Sequence, residues 1–67
     1  MKLTVVIEHC STTDQYVGFV PGLPGAHSQG KTLDRLMQNL KEVLDLLKED
    51  GPLVAESDFI GLQTLEV

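Results

Sequence analysis

A partner for Cys10 is missing: it is the single cysteine of the chain, so no disulfide closes within it and the reducing cytoplasm is the expected compartment. No basic start followed by an apolar core marks a secretory signal. No run approaches the ~18 apolar residues that cross a bilayer, which points to a soluble protein without a membrane partner. Positive charge is scarce as well, with 5 Lys and Arg against 10 Asp and Glu and a net charge of −5. Duplex binding draws its affinity from Lys and Arg that neutralise phosphates, so direct nucleic-acid binding is not expected and a basic protein partner fits better. His9, Cys10 and His27 are the only soft metal ligands, and they lack the paired C-x-x-C or H-x-x-x-H spacing of a zinc site. Cys10 as a nucleophile would need a thiolate-stabilising neighbour. His9 points to the opposite face if the strand persists through Cys10, so Cys10 reads as a small half-buried hydrophobe.

What is present is enough for one small domain. A chain of 67 residues buries only about 60% of the surface its unfolded form exposes, and domains this small usually need a staple. With disulfide and metal set aside, oligomerisation is the expected one, as a dimer or a tetramer.

Lys2 to His9 carries β-branched residues in near-continuous order, with Leu3, Val5 and Ile7 on one face and Val6 on the other, and reads as a central strand. Ser11 to Asp14 supplies turn chemistry, and Gln15 to Val20 returns antiparallel to complete a hairpin. Pro21 to Gly25 makes a second reversal, leaving Ala26 to Gln29 as a short third strand that ends at Gly30. Thr32 is placed to cap a helix whose apolar stripe runs Leu33, Leu36, Met37, Leu40, Val43, Leu44, Leu47. Lys48 in the last turn, Gly51 at the left-handed C′ position and Pro52 beyond it close that helix after about 19 residues, roughly 28 Å. Phe59 to Val67 reads as a final strand. The expected architecture is α+β, in the order β-β-β-α-β. A right-handed crossover would lay the last strand parallel to the first, giving a mixed sheet of order 3-2-1-4 with one helix on one face.

Residues 25–32, Gly-Ala-His-Ser-Gln-Gly-Lys-Thr, match the phosphate-binding pattern G-x-x-x-x-G-K-[ST] letter for letter. A working loop of that kind leaves the carboxyl end of a buried parallel strand. Here Pro21 and Pro24 remove two ladder donors just ahead of it, so an extended third strand is expected in place of a phosphate cradle, and no cofactor is assigned.

The stretch Tyr16-Val17-Gly18-Phe19-Val20-Pro21-Gly22-Leu23-Pro24-Gly25, followed by Ser28-Gln29-Gly30-Lys31-Thr32 and Asn39-Leu40-Lys41-Glu42, resembles the HicB-like antitoxin family over nearly the whole of residues 1–67. The resemblance implies a reduced RNase H-like fold and a binding module that masks a small basic RNA-cleaving toxin of the HicA type. Some family members carry a C-terminal ribbon-helix-helix or helix-turn-helix segment for operator DNA; no such segment is expected here. A catalytic RNase H-like sheet would converge acids on paired metal ions. Glu8, Glu42, Asp45 and Glu66 are the loose candidates, and they read as solvated charge. No catalytic, cofactor or metal residue is therefore assigned and no enzymatic activity is expected. Tyr16, Phe19, Leu23, Phe59, Leu62 and Leu65 are the candidate partner or oligomer contacts, Tyr16 and Phe19 lying on opposite strand faces. The alternative function is a freestanding oligomer of the same fold with a structural or regulatory role and no toxin.

Overall fold

The computed structural model describes residues 2–67. Three strands, β1 (Val6–Cys10), β2 (Gln15–Phe19) and β3 (His27–Gly30), precede one helix, α1 (Leu33–Lys48). The strands form a single antiparallel sheet in the order β1-β2-β3.

β1 and β2 pair from Val6 opposite Phe19 to Cys10 opposite Gln15, which leaves the four residues Ser11 to Asp14 as the hairpin loop. Asp14 closes it at φ 55, a left-handed conformation that Asp tolerates better than bulkier residues. Its carboxylate meets His9 Nε2 at 3.1 Å, and the His9 ring stands edge-on to Tyr16 with centroids 5.2 Å apart.

The second reversal consists of two Pro-Gly turns in tandem. Leu23 N–H donates to the Val20 carbonyl at 3.2 Å, Ala26 N–H to Leu23 at 3.1 Å, and Val20 N–H to Ala26 at 2.9 Å, closing the loop. Each turn has proline second and glycine third, with Gly22 at φ 82 and Gly25 at φ 81, the positive φ that a type II turn demands at that place.

Thr32 caps α1 as its sequence position indicates: its Oγ1 accepts from Arg35 N–H at 3.1 Å. The helix then runs 16 residues to Lys48, with Glu49 as its cap. Gly51, expected at C′, lies one residue further out at φ 125, and the helix holds the whole apolar stripe in 16 residues where about 19 were expected. Leu36 and Leu40 are buried, and Val20, Ala26 and Leu40 form the core with Leu3, Val5, Leu23, Leu44 and Leu47 packed around it. The helix presses close to the sheet at Gly30, where an added Cβ would stand 2.5 Å from the Leu36 nitrogen. Asn39 Nδ2 donates to the Gln29 carbonyl at 2.8 Å and ties the same two elements together. α1 thus lies over β3 and β2 and leaves β1 uncovered.

The fourth strand is absent. Phe59 to Val67 pairs with no other segment, with Ile60 96%, Leu62 82% and Leu65 83% exposed. This overturns the mixed sheet of order 3-2-1-4, and with it the reduced RNase H-like arrangement: the sheet has three strands, all antiparallel, and β1 is an edge strand. The physical reason is local. Strand-forming side chains make a strand only where a ladder partner is within reach. Glu56 N–H is instead held at 2.7 Å by the Gly22 carbonyl, which fixes the incoming segment against the proline turns. Alternation within Phe59–Val67 also puts apolar groups on both faces, with Gly61 between them, so one-sided burial cannot set a register.

Candidate interaction surfaces

The match to the phosphate-loop pattern is accounted for by the fold. His27 to Gly30 are strand β3, in register with Phe19 to Tyr16 of β2, and an extended ladder cannot curl its N–H groups around a phosphate. The glycine before Lys31 serves close helix–sheet approach.

Residues directly opposite in an antiparallel pair share a face. Ile7, Gly18 and Ser28 are one such row, and His9, Tyr16 and Gly30 another. Gly30 meets the helix backbone, so both rows face α1. The alternate rows, Val6–Phe19–His27 and Glu8–Val17–Gln29, with Cys10 and Gln15 at the hairpin end, form the opposite face, which no other element covers. Phe19 is 42% exposed there, with Val6 and Val17 half-buried beside it and Glu8 exposed. An antiparallel sheet in water normally presents polar side chains on its open face; here Phe19, Val6 and Val17 make an apolar centre among Glu8, Gln15, His27 and Gln29.

The six proposed contact residues do not form one patch. Phe19 and Leu23 line a shallow depression with Pro21 and Pro24. Leu23 and Phe59 line the adjoining one with Leu3 and Thr4, so Leu23 bridges the two aromatics across the turn loop. Leu23 is also packed against the core. Tyr16 lies away from them on the helix side, beside Lys31 to Asp34. Leu62 and Leu65 sit on the unpaired tail.

Sequence reasoning missed a second surface. Between α1 and the chain entering β1 lies an open groove of about 390 Å³ lined by Leu3, Val5, Met37, Leu44 and Leu53, with the charged Lys41, Asp45 and Lys48 among them. It exists because the helix stripe is wider than the two strands it covers, so Met37 stays 43% exposed and Ile7 on β1 43% exposed. The facing of Leu3, Val5 and Ile7 carries the signal, which an expected fourth strand over Phe59 to Val67 would mask by filling the space.

Among the described residues no group of three or more His, Cys, Asp and Glu is placed to hold a metal ion; Glu8 is on the open face, Glu42 and Asp45 are in α1, and Glu66 is in the tail. The Cys10 thiol is held below its ordinary pKa, chiefly by a hydrogen bond from the Thr13 side chain and then by the backbone N–H groups of Thr13 and Thr12, because donors aimed at sulfur favour the thiolate. Among the described residues no helix is long and apolar enough to cross a membrane.

Fold and surfaces together define a small α+β domain, a three-stranded antiparallel meander with one helix on one side and an uncovered sheet face on the other. The chain belongs to the UPF0150 family. It is 45% identical to a UPF0150 protein of Archaeoglobus fulgidus over 67 residues, covering 100% of this chain and 96% of that one. It is 43% identical to one of Thermotoga maritima over 65 residues, 96% and 87% of the two chains, and 48% identical to one of Synechocystis over 52 residues, 78% and 75% of the two. No family model and no solved structure matches.

Proposed function

We propose that this UPF0150 protein is a HicB-like antitoxin-type binding module that masks a small basic RNA-cleaving toxin of the HicA type by protein–protein contact. The observation that carries the reading is the uncovered sheet face, where Val6, Val17 and Phe19 make an apolar centre beside Glu8, in a chain of net charge −5. An apolar centre supplies burial, and the acidic balance draws a basic partner in. The motif run from Tyr16 to Thr32 supports the family resemblance. The proline turns of that run hold β2 and β3 side by side, which is what presents Phe19.

The test is co-expression of the tagged chain with the small basic protein encoded beside it. Co-purification and rescue of growth are expected, and Phe19→Asp should abolish both while the folded far-UV spectrum is kept. Absence of rescue by the unaltered chain, or full rescue by the Phe19 variant, would remove the proposal. A freestanding oligomer without a toxin is the second reading, favoured by the open β1 edge.

A further inference from the structure

We infer that the free edge of β1 and the groove beside it are the seat for residues 59–67 of a second copy of this chain, the two copies exchanging tails about a two-fold axis. The proposal does not depend on a toxin. It uses the β1 edge and the helix side of the sheet, and the antitoxin reading uses the opposite face.

Three observations converge on it. β1 ends the sheet, so alternate N–H and C=O groups along it have no ladder partner, the situation that invites strand addition from another chain. The groove alongside is largely apolar, with Leu3, Val5, Met37 and Leu44, and carries Lys41, Asp45 and Lys48 among its lining. The tail offers apolar matter for that groove: Phe59-Ile60-Gly61-Leu62-Gln63-Thr64-Leu65-Glu66-Val67 has strand-forming side chains, a single acid at Glu66, and no Lys or Arg.

A second copy is the occupant because the chain's own tail, though it starts beside the chain entering β1, does not take the edge. Glu56 is bonded to Gly22 and Phe59 lies beside Leu3 and Thr4, after which the chain leaves the body, with Ile60 96% exposed. The chain's own edge therefore stays open while its tail projects into solvent. Residues 60–67 in extended form reach about 26 Å at ~3.3 Å per residue, more than the ~17 Å of a five-residue strand, so one tail spans a whole partner edge. Exchange about a two-fold axis makes each copy both donor and acceptor, closes the assembly at two, and leaves no tail unpaired.

The experiment is light scattering on the full chain at 100 µM with two variants, and amide exchange on β1. A mass of two chains is expected for the unaltered protein. Leu62→Pro removes a ladder donor from the tail at a position 82% exposed, where the fold of the body is indifferent to it; it should give a single-chain mass and faster exchange of the β1 amides. Phe19→Asp, on the opposite face, should leave the two-chain mass intact. A single-chain mass for the unaltered protein would overturn the inference, as would a two-chain mass retained by Leu62→Pro. A two-chain mass lost only in Phe19→Asp would move the interface to the open sheet face and overturn it equally. If Leu62→Pro unfolds by circular dichroism, Leu65→Asp, also strongly exposed, replaces it with the same expected outcomes.

Discussion

At the scale of single residues, the informative ones are those whose neighbours change their chemistry. Cys10 follows from sequence as a small hydrophobe after a strand, and its position at the end of β1 fits that reading. The hairpin loop nonetheless folds the Thr13 hydroxyl and two backbone N–H groups toward its sulfur. Sequence could not show this, because the four-residue loop geometry that aims those donors is set by the left-handed turn at Asp14. Since alkylation follows the thiolate fraction, the pH at which Cys10 reaches half its maximal rate with iodoacetamide should lie below that of a free cysteine. The direction is fixed: hydrogen bonds to the charged form lower the pKa, and removing the main donor by Thr13→Val should raise the midpoint toward the free value. A midpoint unmoved by Thr13→Val would show that this hydroxyl does not hold the sulfur.

At the scale of elements, two hairpin strands, a third strand and a capped amphipathic helix were readable because each carries its own local signal. The β-branched run at Thr4 to Ile7 points to β1, though the strand starts only at Val6 and runs on to Cys10; paired Pro-Gly turns mark the return to β3, and Thr32 ahead of a 3-4 stripe marks α1. The last nine residues carry a comparable strand signal and form none, because pairing depends on where Glu56 is anchored, a contact with no trace in the local pattern. The same limit hid the role of Gly30, which by spacing looked like part of a nucleotide motif and by packing is the point where α1 touches β3. Its substitution separates the two accounts. Gly→Ala in an open strand usually stabilises by about 0.4–1 kcal/mol through the unfolded chain. At Gly30 the new methyl would lie 2.5 Å from Leu36 N and 2.9 Å from the Arg35 carbonyl carbon, backbone atoms that cannot step aside without lifting the helix. Gly30→Ala should therefore destabilise by about 1–3 kcal/mol, lowering the thermal midpoint by roughly 4–8 °C per kcal/mol in a domain of this size. A midpoint equal to or above that of the unaltered chain would mean that the helix does not rest on β3 there.

At the scale of the whole molecule, the fully buried interior is small, Val20, Ala26, Leu36 and Leu40, and burial of an aliphatic side chain contributes only about 1.5–3 kcal/mol. A body so thinly stabilised gains from any partner that binds the folded form alone, and its two uncovered surfaces offer different kinds of contact: an apolar sheet face in an acidic chain, and a backbone edge beside an apolar groove. The two kinds of contact respond differently to salt. If a basic toxin is the partner of the sheet face, as proposed, then with a net charge of −5 its approach is steered by the field of the whole chain, and that field is cut off as the Debye length shrinks from about 10 Å at 0.1 M salt to about 3 Å at 1 M. The association rate should then fall by about tenfold between those salt concentrations, while the dissociation rate, governed by close contact at Phe19 and Val17, changes by less than about threefold. Phe19→Asp should do the reverse, speeding dissociation and sparing the association rate, since it removes an apolar contact and leaves the overall charge acidic. Stopped-flow binding at the two salt concentrations checks both. An association rate indifferent to salt would show that the acidic balance of the chain plays no part in finding the partner, and a salt-sensitive rate in the Phe19 variant with unchanged dissociation would place the contact somewhere other than the open face.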